Sequence, residues 1–166
     1  DIIRSDRASK DTYLLLSGFG ALYRKLEDGS RKIYAFYYPG DFCALHSLPE
    51  VQWERAVVAL TVCAVGVIDN QDLDQALTQH PQLSLVLWRA AMLEASIIRE
   101  RLVHASTGPP LQRVAHLLCE QLARCHAAGI RHTIDLLNQT ALADATGLST
   151  LQTDRTLRDL RELGAV

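Results

Sequence analysis

The side chains best suited to chemistry lie near the end of the sequence, in a segment predicted to be helical. Ser149 and Thr150 open this segment, and Gln152, Arg155 and Arg158 fall on its outward face. An arginine side chain binds guanine through two hydrogen bonds, and glutamine binds adenine in the same way. Serine and threonine hydroxyls bind phosphates or either class of base. This pattern predicts a surface that binds nucleic acid.

Two predicted helices joined by a short turn must position these side chains. Asn138 is a suitable N-cap for the first helix, and Gly147 ends it because glycine readily adopts a left-handed conformation. Leu148 lies in the turn as an apolar plug between the helices. Ser149 and Gln152 match the capping box, so a second helix begins there. The residues predicted to point inward are Leu142, Thr153, Leu157, Leu160 and Leu163. This arrangement is the helix-turn-helix pattern, whose second helix enters the major groove.

The same residues also have a purely structural interpretation. Gln152 then serves only to close the capping box, and Arg155 pairs with Asp159 four residues on, which is a common surface interaction. From Pro109 onward the sequence holds six arginines and six carboxylates. Attraction to phosphates must therefore come from the arrangement of charges rather than from their excess. Both interpretations stay open on spacing alone.

Up to Asp69 the chain is predicted to be β-rich. Asp28 and Gly29 separate two β-prone runs and indicate a hairpin. A turn is predicted over 39–41, where proline, glycine and aspartate adjoin. Further strands are predicted from TYLLLSG and from RAVVALTVCAVGVID, the second of which is dense in Val and Thr. This half of the chain predicts a small all-β barrel or roll.

After Asp69, which is a suitable N-cap, the pattern becomes helical and a short helix ends at Pro81. A second helix then runs unbroken to about residue 107 and carries two apolar stripes. The first stripe comprises Leu83, Val86, Ala90, Leu93 and Ile97, and the second comprises Leu85, Trp88, Met92, Ala95 and Leu102. Because one stripe suffices for a surface helix, two stripes predict burial against both the β domain and a partner. We assign the first stripe to a dimer interface; the alternative is a helix central to one monomeric core.

A further amphipathic helix is predicted after the STGPP segment, whose prolines suit a helix start. Gly129 lies where a C-terminal cap is expected. The predicted apolar face comprises Leu111, Val114, Ala115, Leu118 and Leu122.

Several cysteine and histidine residues invite a metal or thiol interpretation. The candidate pairs are Cys43 with His46, His116 with Cys119, and Cys125 with His126. Two ligands are fewer than the four that a structural zinc site needs, and cysteine is often simply a buried small hydrophobe. We therefore predict structural roles and no metal site. The sequence holds no nucleophile elbow, P-loop or dinucleotide fingerprint, so we predict that the protein is not an enzyme.

Composition adds weaker constraints. The chain has 166 residues, 48% of them apolar, and a formal net charge of −2, so no global basic field indicates its partner. It contains no apolar run near the ~18 residues of a membrane helix and no secretory leader. Its four cysteines form no CxxC pair. We expect a reduced, cytoplasmic protein without a membrane partner, and we interpret the chain, which begins at Asp1 and stops after ELGAV, as a fragment.

The order of elements resembles the Crp/Fnr family of bacterial transcription regulators. The resemblance extends from about Thr12 to the end and is carried by LLLSGFGALYRKLEDGSRKIYAFYYPGDFCALHSL, RVAHLLCEQLAR and LADATGLSTLQTDRTLRDLRELGA. The last phrase is the most specific, since Gly147, Leu148, Ser149, Arg155, Leu157, Leu160 and Gly164 fall where the family places them. The chain ends where the family's wing hairpin would follow.

The resemblance implies a homodimer whose reading helices face successive major grooves, with half-sites ~34–36 Å apart. By family position, Thr150, Leu151 and Arg155 contact bases, and Ser149 and Gln152 contact bases or phosphates. Leu151 departs from the family's best-known members, which carry an acidic residue there. A leucine can contact a thymine methyl group but cannot accept a hydrogen bond from cytosine. The family's familiar target sequence is therefore not expected.

The effector is not identified by this resemblance. Cyclic-nucleotide-binding members hold the phosphate with a Gly-Glu pair and a following arginine. Arg55 matches that arginine, but Ala44 and Leu45 stand where the Gly-Glu pair would be. The positions that meet the base correspond to Ile98 and Arg99. These departures argue against cyclic AMP, and no cysteine cluster for an iron–sulfur centre is visible, so no cofactor is identified.

We thus expect an α+β protein composed of an N-terminal jelly-roll-like β-roll, a long dimerisation helix and a winged helix-turn-helix that lacks its wing. The expected boundaries are 1–80 for the β-roll, 81–107 for the dimerisation helix and 108–166 for the DNA-binding domain. The expected function is a homodimeric transcription regulator that reads a palindromic operator through helix 149–163. Expected partners are double-stranded DNA, a second copy, RNA polymerase and an unknown small-molecule effector at the β-roll. The alternative is a sensing or protein-interaction module of the same fold without specific DNA binding.

Overall fold

The computed structural model describes residues 2–3, 11–43, 56–130 and 137–165. Within these ranges, six strands come first and five helices follow. The strands are β1 Asp11–Ser17, β2 Gly20–Lys25, β3 Arg31–Tyr37, β4 Phe42–Cys43, β5 Ala56–Ala59 and β6 Ala64–Asp69. The helices are α1 Asn70–Gln79, α2 Pro81–Thr107, α3 Pro110–Ala127, α4 Gln139–Thr146 and α5 Thr150–Glu162. The predicted change from strands to helices at Asp69 is confirmed.

The described strands form two three-stranded antiparallel sheets, in the orders β4-β1-β6 and β3-β2-β5, and they close no barrel. Strands β2 and β3 form the predicted hairpin, in which Gly29 has a φ of +83°. The Leu26 amide donates to the Ser30 carbonyl across 2.7 Å and closes the turn. A roll of two sheets, rather than a barrel, is therefore the architecture of the β domain.

Two hydrophobic cores lie on opposite sides of the β3-β2-β5 sheet. The core between the two sheets comprises Leu15, Leu22, Ala35, Tyr37, Cys43 and Val57. The other joins this sheet to helices α3, α4 and α5, and it comprises Ala21, Ile33, Phe36, Tyr38, Val114, Leu117, Cys125, Ala141, Leu142, Leu157 and Leu160. The helix-turn-helix therefore packs directly on the β-roll and shares a core with it.

Helix α2 departs most from the sequence prediction, because none of its residues is buried. Both predicted apolar stripes are largely exposed, with Leu93 and Trp88 each 61% exposed. The expectation that one stripe is buried against the β domain is wrong, and so is the alternative of a helix central to a monomeric core. The half-buried line of the helix is mixed in character and includes Leu87, Ala91, Glu94, Arg101 and Ala105.

Polar interactions hold this half-buried line of α2 to the rest of the chain. The Arg101 guanidinium forms an ion pair with Glu120 of α3 and donates to the Tyr34 carbonyl across 2.7 Å. It also lies 5.4 Å from the centre of the Phe36 ring. An apolar-stripe prediction cannot identify such a face, because charged and small residues make the contacts.

Helix α3 shows a smaller correction of the same kind. Its buried residues are Val114, Leu117, Gln121 and Cys125. The predicted inward residues Leu111 and Leu122 are 37% and 57% exposed, so their assignment to the buried face is wrong. The buried line instead includes the polar Gln121, whose amide oxygen accepts a hydrogen bond from the Tyr38 hydroxyl. Ala115 and Leu118 pack against the same core, as predicted.

In the described part of the chain, no helix is long and apolar enough to cross a membrane.

Candidate nucleic-acid interface

The first helix of the predicted motif begins and ends as its sequence indicates. The Asn138 side chain caps α4 by accepting a hydrogen bond from the Ala141 amide across 2.8 Å. The helix ends at Gly147, whose φ of +73° lies in the left-handed region. Leu142 is only 3% exposed, and Leu148 packs partly buried against the core shared with the β-roll. The turn therefore has a fixed shape, and it sets the direction in which α5 leaves.

The second helix begins with the predicted capping box. The Ser149 hydroxyl accepts from the Gln152 amide across 3.2 Å, and the Gln152 side-chain oxygen accepts from the Ser149 amide across 3.0 Å. The same oxygen also accepts from the Ser149 hydroxyl across 3.1 Å. The structural role of Gln152 is therefore confirmed. Its amide oxygen is occupied in the free chain, whereas pairing with adenine requires both the oxygen and the nitrogen of the amide.

One face of α5 is buried against α3 and α4. The buried residues are Thr153, Thr156, Leu157 and Leu160. Thr153 is fully buried, and its hydroxyl donates to the Ser149 carbonyl across 3.0 Å. Leu163, predicted to point inward, is 70% exposed, so that prediction is wrong. The cause is local: α5 ends at Glu162, so Leu163 is the C-cap and lies past the buried turn.

The opposite face of α5 is exposed. At 100° per residue, Leu151, Arg155, Arg158 and Glu162 lie opposite the buried line. Thr150, the first residue of the helix, is also exposed. Arg158 forms an ion pair with Asp154 one turn earlier. The pairing of Arg155 with Asp159 is not formed, and among the described residues the Arg155 guanidinium has no hydrogen-bond or ion-pair partner. In the part of the chain that the structure describes, Arg155 is thus an unpaired cation at the middle of this face.

The charge of the motif itself is slightly acidic. Residues 137–165 contain three arginines and four carboxylates. One of those arginines, Arg158, is already paired with Asp154, and Asp144 is paired with Arg31 of β3. A DNA backbone would therefore meet few unpaired cations on residues 137–165.

Polar contacts fix the position of the motif relative to the β-roll. Arg31 of β3 pairs with Asp144 of α4, and Arg124 of α3 pairs with Asp41. The Arg124 guanidinium also lies 4.8 Å from the centre of the Tyr38 ring. Burial raises the pKa of the Tyr38 hydroxyl far above its usual value, so this hydroxyl is a neutral donor. Burial likewise raises the pKa of Asp41, and the Arg124 charge opposes that shift.

The structure describes five of the six cysteine and histidine residues that were considered as ligand pairs. Cys43 is fully buried, and burial raises the pKa of its thiol to about 12. Cys125 is also buried in the core beneath α5, whereas Cys119 is exposed. The His116 ring stacks on His104 of α2 with 3.9 Å between the ring centres. His46 lies outside the described residues, so its predicted structural role stays a prediction.

The residues considered for effector binding are mostly outside the described part of the chain. Arg55, Ala44 and Leu45 belong to the range 44–55, which the structure does not describe. Ile98 and Arg99 lie on α2, where Ile98 is 37% exposed. The predicted effector contact of Arg55 therefore stays a prediction.

The sequence pattern did not indicate that the β2–β3 hairpin reaches the helix-turn-helix. The Lys32 side-chain nitrogen lies 3.6 Å from the position that a β-carbon on Gly147 would occupy. The hairpin holds four basic and two acidic residues between Arg24 and Lys32, and this charge was the only available signal in the sequence. The packing that brings the hairpin to the turn depends on residues distant in sequence, such as Arg31 and Asp144.

Comparisons with known proteins agree with this geometry. Residues 1–80 match the model of the cyclic nucleotide-binding domain family. The chain is 31% identical to the global nitrogen regulator of Nostoc sp. over 90% of this chain and 70% of that protein. It is 23% identical to the nitrogen fixation regulation protein FixK of Azorhizobium caulinodans, over 100% of this chain and 67% of that protein. The chain belongs to the Crp/Fnr family of bacterial transcription regulators. It therefore spans about two thirds of the length of these Crp/Fnr relatives.

Solved Crp/Fnr structures share the fold. FixK2 from Bradyrhizobium japonicum superposes with a TM-score of 0.83 at 25% identity, covering 98% of this chain and 80% of that one. A transcriptional regulator of the CRP family from Thermus thermophilus superposes with a TM-score of 0.76 at 21% identity, covering 98% and 80%. The predicted α+β architecture is confirmed. As a Crp/Fnr protein the chain is a DNA-binding transcription regulator, and it is not an enzyme.

Proposed function

We propose that two copies of this chain pair through α2 and that each inserts α5 into a major groove of a palindromic DNA operator. Arg155 binds a guanine through two hydrogen bonds, since its guanidinium lies on the exposed face and has no partner among the described residues. Thr150 and Leu151 contact neighbouring base edges, and the Leu151 side chain suits a thymine methyl group. Ser149, Gln152 and Arg158 contact phosphates or bases at the edge of the same site.

The exposed apolar surface of α2 supports the pairing. The helix has 27 residues and is therefore roughly 40 Å long. Leu83, Val86 and Leu93 are 40%, 59% and 61% exposed, and Ala90 and Ile97 complete the same stripe. An apolar surface of this length on an isolated chain is typical of a protein interface. Pairing along this stripe would place the two α5 helices in one dimer, at a spacing of about one DNA turn.

The expected division of the chain follows from this proposal. Residues 1–80 act as a sensor, 81–107 as the dimerisation helix and 108–166 as the DNA-binding domain. A small-molecule signal acts at the β-roll, with Arg55 as a candidate contact. Ala44 and Leu45 replace the family's Gly-Glu pair, so cyclic AMP is not the proposed ligand. RNA polymerase is the further partner expected of a cytoplasmic regulator of this type.

The observation that carries the proposal is the Arg155 guanidinium at the middle of the exposed α5 face, which has no partner within ranges 2–3, 11–43, 56–130 and 137–165. Leu151 on the same face is 59% exposed. Selection of bound duplexes from a random DNA pool tests it, using the unaltered chain, Arg155→Ala and Arg161→Ala. Arg161 is a matched control because it is exposed on the same helix outside the centre of that face.

The unaltered chain should enrich a palindrome, and Arg155→Ala should lose definition at one symmetric pair of guanines. Losing such a contact costs about 1–3 kcal/mol of discrimination per half-site. Arg161→Ala should retain the full motif. Enrichment of no sequence, or an Arg155→Ala motif identical to that of the unaltered chain, would contradict the proposal.

A further inference from the structure

Lys32 of the β-roll lies beside the turn of the helix-turn-helix. Its side-chain nitrogen is 3.6 Å from the position of a β-carbon on Gly147, two residues before the Ser149 cap of α5. The N-terminal end of a reading helix is the end that contacts DNA. The Lys32 ammonium is thus held close to the part of the motif that DNA approaches, although it belongs to a different domain in the sequence.

An ion pair fixes this position. Arg31, the neighbour of Lys32 on β3, pairs with Asp144 of α4, and its guanidinium lies 5.9 Å from the centre of the Tyr23 ring. Asp144 and Gly147 are three residues apart at the end of α4. The pair therefore fastens the tip of the β2–β3 hairpin, next to its turn, to α4 and leaves the Lys32 side chain beside Gly147.

The Lys32 ammonium is available for a ligand. Among the described residues it has no hydrogen-bond or ion-pair partner. Asp28 in the hairpin turn accepts hydrogen bonds from the Ser30 amide across 2.9 Å and from the Ser30 hydroxyl across 2.6 Å. These bonds, and to a smaller extent the charge of Lys32, lower the pKa of Asp28. Within the described part of the chain, Arg31 is paired with Asp144, whereas Lys32 next to it is unpaired.

The charge of the motif indicates what this ligand is. Residues 137–165 hold three arginines against four carboxylates, so α4 and α5 carry no excess of positive charge to attract a polyanion. The hairpin segment 24–32 holds four basic residues against two carboxylates. A DNA strand at the edge of the groove occupied by α5 is a continuous row of phosphates, and a compact lysine ammonium binds phosphate as a point charge.

We propose that Lys32 binds a DNA backbone phosphate at the edge of the major groove that α5 enters, so that the β-roll itself contributes to the affinity for DNA. This inference rests on the proposed function. It assigns Lys32 an effect on affinity that is independent of base sequence, in contrast to Arg155.

The test measures DNA affinity against salt concentration for the full chain and for Lys32→Gln, Lys32→Arg and Lys25→Gln. Each phosphate contact contributes about 0.9 to the slope of log affinity against log salt, so loss of one in each of two copies lowers it by about 1.8. Lys32→Gln should show that reduction and weaken binding by the same factor on the selected operator and on unrelated DNA. Lys32→Arg should retain the slope, and the exposed Lys25 on β2 should leave it unchanged.

The outcomes separate this inference from the proposed function. Operator binding by the unaltered chain with an unchanged slope in Lys32→Gln overturns the phosphate contact and leaves the proposed function standing. An equal loss in Lys25→Gln also overturns it, because the effect would then belong to the hairpin charge as a whole. Failure of the unaltered chain to bind any duplex overturns both. Thermal unfolding at an unchanged midpoint in Lys32→Gln shows that the lost slope is not a loss of fold.

Discussion

Helices α2 and α5 both present one side to solvent, but the two sides differ in composition. Helix α5 buries Thr153, Thr156, Leu157 and Leu160 within its own chain. Its exposed side carries Arg155 and Arg158, which are hydrated in the free chain and can bind phosphates. Helix α2 buries no residue and exposes Leu93, Trp88 and Leu102 by 61%, 61% and 68%. The composition of the exposed side thus indicates the partner of each helix. Helix α5 buries its apolar residues within its own chain and exposes a polar side, which suits DNA. Helix α2 leaves its apolar residues exposed, which suits pairing with a second copy.

The largest expected effect concerns α2. Replacing Leu93 and Ile97 with glutamate should convert the dimer to a monomer, because it places paired carboxylates in an apolar seam. The operator affinity should fall at least ~100-fold, since the second half-site would no longer be bound intramolecularly. Sedimentation equilibrium and a binding titration measure the two effects.

The matched control for this pair is Val62→Glu. Val62 is 96% exposed and lies between β5 and β6 rather than on α2, so its substitution should change neither the mass nor the affinity. If the doubly substituted chain remained a dimer, the assignment of the Leu83–Ile97 stripe to the interface would be wrong.

A smaller effect distinguishes the two sides of α5. Leu157 is 7% exposed in the core shared with the β-roll, so Leu157→Ala should lower the free energy of unfolding by about 2–5 kcal/mol. Leu151 is 59% exposed, and Leu151→Ala should change that free energy by less than about 0.5 kcal/mol. Urea unfolding measures both. Comparable losses in the two variants would show that α5 has no free face.

The smallest effect is a pH dependence at the junction of α2 and α3. Burial, and then the neighbouring His104, lowers the pKa of His116 below its ordinary 6.5, while Glu120 and Glu100 oppose the shift. The unfolded chain therefore takes up this proton first as the pH falls. The contribution of the neutral His116 ring to the free energy of unfolding is present above pH 6.5 and is lost as the pH falls below that value.

His116→Gln provides the comparison for this effect. The variant should show a shallower fall in unfolding free energy between neutral and mildly acidic pH than the unaltered chain, measured by urea unfolding at each pH. Parallel curves for the two proteins would mean that the His104–His116 stack does not disfavour the protonated ring.

Local signals in the sequence predicted the elements well. Asp69, Asn138 and Ser149 cap the helices that they were expected to begin, and Gly147 adopts the predicted left-handed conformation. The hairpin at Asp28 and Gly29 is present as well. Each of these features depends on contacts between residues within a few positions of one another, so the chain's local chemistry determines them.

Features that depend on distant contacts were predicted less well. The buried face of α3 includes Gln121 because Tyr38, 83 positions away, supplies its hydrogen bond. The half-buried line of α2 includes Arg101 because Glu120 and the Tyr34 carbonyl satisfy it. Hydrophobic periodicity cannot identify such polar buried positions, so Leu111 and Leu122 were placed inward in error. The approach of Lys32 to Gly147 also depends on contacts between residues distant in sequence, such as the pair of Arg31 and Asp144.

The most direct test of the dimeric reading mechanism is to change the spacing within the selected operator. Two α5 helices on one two-fold dimer reach half-sites one DNA turn apart, about 10–10.5 base pairs between centres. Inserting about five base pairs between the half-sites turns the second one to the opposite side of the duplex. The affinity of the unaltered chain should then fall to that for a single half-site, ~100-fold or more. An affinity unchanged by the insertion would contradict the paired arrangement of α2 and α5 proposed for this protein.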